Sequence, residues 1–131
     1  MNYKFVLRIS GEDMDFDYIC NKLGPENCDK KKKGDKFAGF ISVPHDTVIF
    51  EKNYSDFEYG SQDFIMHLYY KKNVLNKIKK MNSINLYLCC YICSEMGQIG
   101  FFVSSTIMKY LSEIELDLNF DILSFGLAEV D

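Results

Sequence analysis

The chain has 131 residues, 47% hydrophobic, 26% charged and 15% aromatic, with two prolines, eight glycines and a net charge of −4. That is the length of one domain able to bury roughly two-thirds of its unfolded surface, and such a composition excludes a disordered, collagenous or low-complexity chain. The longest unbroken apolar run, residues 86–93, is far short of the ~20 a spanning helix needs. The first residues, MNYKFVLRISGED, hold no apolar signal segment, so a cytoplasmic protein without membrane contact is expected, its five cysteines reduced.

Residues 3–9 read as a first strand, alternating Phe5, Leu7 and Ile9 with Lys4, Val6 and Arg8. After the turn at Ser10 and Gly11, Asp13 or Asp15 caps a short helix whose apolar positions Phe16, Ile19, Cys20 and Leu23 fall three and four apart. Gly24 and Pro25 stop it. The run Lys30, Lys31, Lys32, Lys33 leads into an exposed turn, with a short edge strand before it at most. Residues 37–43 read as strand or loop and residues 47–54 as a β-branched and aromatic strand.

The main helix is expected from Ser61, with Asp63 in its first turn. Phe64, Ile65, Leu68, Leu75 and Ile78 form its inner stripe, lysines load its second half, and Asn73 is a place where it could break in two. Residues 83–93 read as a central strand covered on both faces, because Ile84, Leu86, Leu88, Cys90 and Ile92 alternate with a second largely apolar set. Gly97 and Gly100 make a loop. Ser104 or Ser105 caps a third helix with Ile107, Met108 and Leu111 inward. Residues 114–123 read as a last strand, with Ile114, Leu116, Leu118, Phe120 and Ile122 toward the core and Glu115, Asp117, Asn119 and Asp121 outward; residues 125–131 are a tail. The order predicts a single α+β domain: one mixed sheet with about three helices packed on it, β-α-β-β-α-β-α-β.

The segment RISGEDMDFDYICNKLG, the Lys33-Gly34-Asp35 turn and the closing FFVSSTIMKYLSEIELDLNFDI together resemble the bacterial family catalogued as domain of unknown function 4279. The resemblance covers most of residues 3–123 and implies small stand-alone proteins. Two features depart from the family pattern. This chain has no tryptophan in its mid-chain strand, and the stretch 25–28 replaces the usual proline-threonine after the first helix. Because the family has no established activity, the resemblance speaks to fold more than to function.

No residue set spells out a reaction. Cys89, Cys90 and Cys93 with His67 or His45 invite a zinc site, but the thiols sit mid-strand with Cys90 opposed to its neighbours, and no second Cys-x-x-Cys knuckle exists. Buried cysteine acting as a small hydrophobe fits better; neither metal nor cofactor is expected. His45 reads as a turn residue and His67 as a boundary residue rather than partners of a nucleophilic cysteine. No glycine-rich phosphate loop is present. The lysine run reads as a solvated turn rather than a nucleic-acid contact, since the protein is acidic and shows no aromatic platform of the single-strand-binding kind. Glu12, Asp13, Asp15 and Asp17 crowd one turn, where capping explains them better than acid–base or Mg²⁺ chemistry.

The charge layout carries the functional reading. Residues 1–80 are net +2, whereas residues 81–131 hold one base, Lys109, against seven acids, net −6. The expectation is a small cytosolic binding protein, an immunity protein that blocks a basic toxin domain by steric occlusion through an acidic surface. Glu113, Glu115, Asp117 and Asp121, with the tyrosines Tyr54 and Tyr59, are its candidate partner contacts. The alternative is an enzyme or small-ligand binder with a pocket between helices and sheet, using Asp13, Asp15 or Cys89.

Overall fold

A computed structural model describes residues 1–37, 39, 41–81, 83–95 and 99–124. The tail expected over 125–131 and the Gly97 part of the expected loop lie outside the described residues. Along the chain run β1 (Asn2–Gly11), α1 (Phe16–Leu23), β2 (Cys28–Lys31), β3 (Lys36–Phe37), β4 (Ile41–Ser42), β5 (Asp46–Tyr54), α2 (Phe57–Tyr70), α3 (Lys72–Lys79), β6 (Asn85–Ser94), α4 (Ser105–Ile114) and β7 (Leu118–Ser124). A 3-10 turn, Pro25–Asn27, joins α1 to β2. The fold is α+β as expected, with four helices where the sequence suggested about three, because the long helix breaks at Lys71, near the anticipated Asn73. No described helix is long and apolar enough to cross a membrane.

Five strands form one mixed sheet in the order β2-β5-β1-β6-β7, and β3 pairs with β4 in a separate two-stranded ribbon. The first strand is the spine. Leu7 lies between Phe50 of β5 and Leu88 of β6, both antiparallel to β1. The flanking strands β5 and β6 are therefore parallel to each other and need the long α2–α3 crossover to connect them. The last strand runs parallel to β6 and is reached through α4.

Alternation in β1 sends Tyr3, Phe5, Leu7 and Ile9 into the core, where Phe5 meets Phe57 and Phe64 of α2 at 5.8 and 5.6 Å between ring centres. Phe50 also stacks on Phe64 at 5.3 Å. Each such ring contributes roughly 1.5–3 kcal/mol by leaving water. Ile19 and Leu23 of α1, Leu75 and Ile78 of α3, and Ile107, Leu111 and Ile114 of α4 join the same cluster.

Three sequence expectations are corrected. The main helix starts at Phe57, not Ser61: Asp56 is its cap, accepting from the Tyr59 amide at 2.8 Å. Gly60 looks like a breaker but belongs to the first turn, because a Cβ there would sit 2.7 Å from Cγ of Tyr54. Asp63 is consequently a mid-helix residue.

Secondly, β6 is not covered by helices on both faces. Leu88, Cys90 and Ile92 join the helix-covered core, while Tyr87, Cys89 and Tyr91 share the opposite face with Lys4, Val6 and Arg8. There Val6 and Cys89 are buried. Arg8 sits 5.7 Å over the Tyr87 ring and donates to the Tyr91 hydroxyl at 3.3 Å, and Lys4 lies 6.0 Å over Tyr91. The second apolar set of β6 is thus covered by long side chains of its own sheet. The two tyrosines do sit together on a sheet face over which no described helix packs, an arrangement the sequence did not reveal, but their rings are engaged by these cations.

Thirdly, residues 114–117 are not strand. Ile107, Leu111 and Ile114 continue one helical stripe, and Glu115 ends α4 in the left-handed region with φ 55°. The Glu115 and Leu116 amides close the end on Ser112 O and Leu111 O, at 3.2 and 3.1 Å. Two-residue alternation and the end of a helical stripe coincide over these positions, so the pattern alone could not separate them.

Candidate functional site

Unequal strand lengths create a cleft. The short β2 pairs with Thr47 to Phe50 of β5, so among the described residues Glu51 to Tyr54 have no strand neighbour on that side. The 3-10 turn at Glu26 and Asn27 forms one wall and the first turns of α2 the other. The open concavity is about 650 Å³, lined by Glu26, Asp29, Glu51, Lys52, Tyr54, Tyr59 and Asp63 among others.

Four carboxylates and one lysine line this cleft. The Tyr54 hydroxyl donates to Asp63 Oδ2 at 2.6 Å, and Lys52 Nζ lies 3.5 Å from the same oxygen. Burial, then the hydrogen bond to Asp63, pushes the Tyr54 hydroxyl above its ordinary value, so it stays a neutral donor. Its ring stands edge-on to Tyr59 at 6.0 Å, and Tyr59, 58% exposed, overhangs the opening. Glu51 is tied across the sheet to Lys4 at 3.6 Å. A second concavity of about 420 Å³ adjoins along α2, sharing Tyr59 and Asp63 and adding Met66 and Tyr70. Cys28 also lines the main cleft, but burial and a hydrogen bond with Cys20 push its thiol up to about 12. It is protonated at neutral pH and a poor nucleophile.

The candidate contacts fall into two groups. Tyr54 and Tyr59 meet in the cleft. The strand row of Tyr54 crosses Tyr3 and Ile92 and ends at Ile122, whereas Asp117 precedes Leu118, in the row of Leu88, Leu7 and Phe50. With β5 second and β7 fifth in the sheet, three strand spacings, about 14 Å, separate the strand of Tyr54 from that of Asp121. Glu113, Glu115, Asp117 and Asp121 are all exposed, yet two of them have local work. Glu113 takes a hydrogen bond from Tyr69, which raises that hydroxyl's pKa. Glu115 closes α4, where Lys79 Nζ donates to the carbonyls of Ile114 and Glu115. Only Asp121 projects from a strand.

Other singled-out residues are likewise engaged. Asp15, not Asp13, caps α1, accepting from the Tyr18 amide at 3.1 Å. Asp17 pairs with Lys30 at 3.3 Å. His45 Nδ1 lies 2.9 Å from Glu12, and Lys33 lies 3.5 Å from the same carboxylate. His67 Nε2 donates to the Leu23 carbonyl at 2.6 Å while its ring stacks on Phe50 at 5.2 Å. Cys90 faces the core and Cys89 the opposite side of the sheet, so these thiols and the two histidines do not converge. The sequence reading missed Glu26, Asp29 and Asp63, which line the cleft with Tyr54 because α2 packs beside β5 and β2 begins only opposite Phe50.

The family model described as domain of unknown function (DUF4279) matches residues 1–125. The chain belongs to this family. No curated protein and no solved structure matches it. For this DUF4279 chain, the cleft beside β5 is where concavity, exposed tyrosine and unbalanced negative charge coincide.

Proposed function

We propose that this chain is a cytoplasmic binding protein that captures a basic protein partner at the cleft beside β5, acting as an immunity protein that occludes a toxin domain. The observation that carries the reading is the cleft itself, a concavity beside β5 and α2 lined by Tyr54 and Tyr59 together with Glu26, Asp29, Glu51 and Asp63. Tyrosine supplies large contact area at low entropic cost and anchors interfaces. Carboxylates around it favour Lys or Arg side chains and speed encounter with a basic surface. The acids of residues 81–131, net −6, add to the long-range field without forming the contact.

A second reading draws on the same cleft. Its volume of about 650 Å³ lies in the roughly 300–1,000 Å³ range of small-molecule sites, which suits a small organic cation. One experiment separates the two. A photo-crosslinking amino acid at Tyr59, in the native host, is expected to trap a protein of basic pI, while the same group at Glu113 traps none. Crosslinking at Glu113 alone would return the interface to the C-terminal acids. No protein adduct at either position, with a polyamine saturating the cleft, would favour the small-ligand reading.

A further inference from the structure

The two edges of the five-stranded sheet are built differently. An unpaired edge strand is a template for another chain, and proteins blunt it with short strands, lysine or proline. The β2 edge follows that rule: four residues, two of them Lys30 and Lys31. The β7 edge does not. It runs seven residues, LNFDILS, without lysine or proline, and leaves Phe120 37%, Ile122 46% and Leu123 57% exposed. Phe120 packs on Phe101 at 5.0 Å, and the next residue, Phe102, is also exposed.

We propose that β7 pairs antiparallel with β7 of a second copy of this chain, with Phe120 on the two-fold axis, joining the two sheets into one of ten strands. Self-pairing is isologous, so each register can be tested against the sequence. Residues facing each other across an antiparallel pair share a face of the sheet, so the axis must pass through a residue. An axis at Asn119 sets Asp117 opposite Asp121 of the second copy, and an axis at Asp121 sets that carboxylate against itself; like charges directly opposed are unfavourable. An axis at Ile122 leaves Phe120 facing Ser124. With the axis at Phe120, Phe120 meets its own copy and Leu118 meets Ile122, so every helix-side pair formed within β7 is apolar. On the other face Asn119 meets Asp121. The pair sets a neutral amide, which donates to Leu88 O at 3.0 Å, opposite a single carboxylate, so no like charges face each other. Charge and apolar matching together select this register and a second copy as its occupant. The proposal is independent of the cleft reading, because the cleft lies at the other side of the sheet.

Sedimentation velocity of the wild-type chain from about 1 to 200 μM at physiological salt is the first test. A concentration-dependent shift from monomer to dimer mass is expected. Ile122→Lys, at an already exposed position, should remain monomeric with an unchanged far-UV spectrum. The register is read by oxidation, with the linked peptides mapped by mass spectrometry. Phe120→Cys is expected to crosslink to itself, since paired Cα atoms lie about 4.5–5.5 Å apart. Asp121→Cys is not, since two residues of stagger place its copies beyond the ~7 Å that a disulfide spans. Monomer mass at every concentration, a dimer that survives Ile122→Lys, or self-crosslinking at 121 in preference to 120 would each overturn the proposal.

Discussion

Asp46 opens β5 and is buried, yet the sequence gives no sign of its importance. Its Oδ1 accepts from the Lys33 amide at 2.8 Å and its Oδ2 from the Met14 amide at 3.1 Å. One carboxylate thus ties the turn after β1 to the lysine turn after β2, at the end of the sheet where Gly11 pairs with Asp46. Charge-assisted bonds are worth roughly 1.5–3 kcal/mol each when fully buried. The lysine turn is exposed and its freed amide finds water, so about 1 kcal/mol per bond is the better figure. Asp46→Ala should therefore cost about 2 kcal/mol. At roughly 2.1 cal/mol/K of unfolding entropy per residue, that lowers the melting temperature by about 7 °C. The two amides, Lys33 first and then Met14, hold the carboxyl below its ordinary value. A depressed folded-state pKa contributes stability above the unfolded value of about 3.9 and loses it as pH falls through the folded value. Urea titrations of wild type and Asp46→Ala should show a wide gap at pH 7 that narrows below pH 4. An equal gap at pH 7 and pH 2.5, or one under about 0.5 kcal/mol at pH 7, would refute the assignment.

Three further predictions follow from the core, a helix end and the thiols. Leu88→Asp places a carboxylate between Leu7 and Leu118 and should remove about 4 kcal/mol or more; a normal melting curve would contradict the buried position of Leu88. Glu115→Gly relieves a left-handed residue at φ 55° and should raise stability by about 1 kcal/mol, read as an upward shift in urea midpoint; a downward shift would refute it. With the Cys28 and Cys90 thiols pushed up to about 12, chiefly by burial, alkylation at pH 8 should spare both in the native protein and modify both after unfolding, as peptide mass mapping will show; rapid native labelling at either would refute the assignment.

What could be read from the sequence is what local pattern dictates. The alternation of Phe5, Leu7 and Ile9, the β-branched and aromatic run of residues 47–54 and the doubly apolar run around Leu88 gave the three inner strands. Gly24-Pro25 and the serines before Ile107 marked helix ends, and the resemblance gave the family. What escaped depends on where one element stops relative to another. The helix end at Ile114 was hidden because Ile114, Leu116 and Leu118 satisfy both periods. The start of α2 was hidden because Gly60 reads as a breaker until Tyr54 is packed against it. The cleft exists because β2 stops pairing at Phe50, and no pattern in residues 26–63 announces that. Of the candidate contacts, Tyr54 and Tyr59 line the cleft, whereas Glu113 lies on α4, Glu115 and Asp117 between α4 and β7, and Asp121 on β7.

The central claim is that the cleft, not the acids at the end of α4, meets the basic partner. With the protein trapped at Tyr59 in hand, its association rate should be measured against two charge-reversed variants at low and physiological salt. Glu26→Lys with Asp29→Lys, both exposed in the cleft wall, should slow association at least tenfold at low salt, by less at physiological salt, and leave the melting temperature within a few degrees. Glu113→Lys with Asp117→Lys should change it less than threefold. The reverse ranking, with the cleft variant associating at the wild-type rate, would contradict the account.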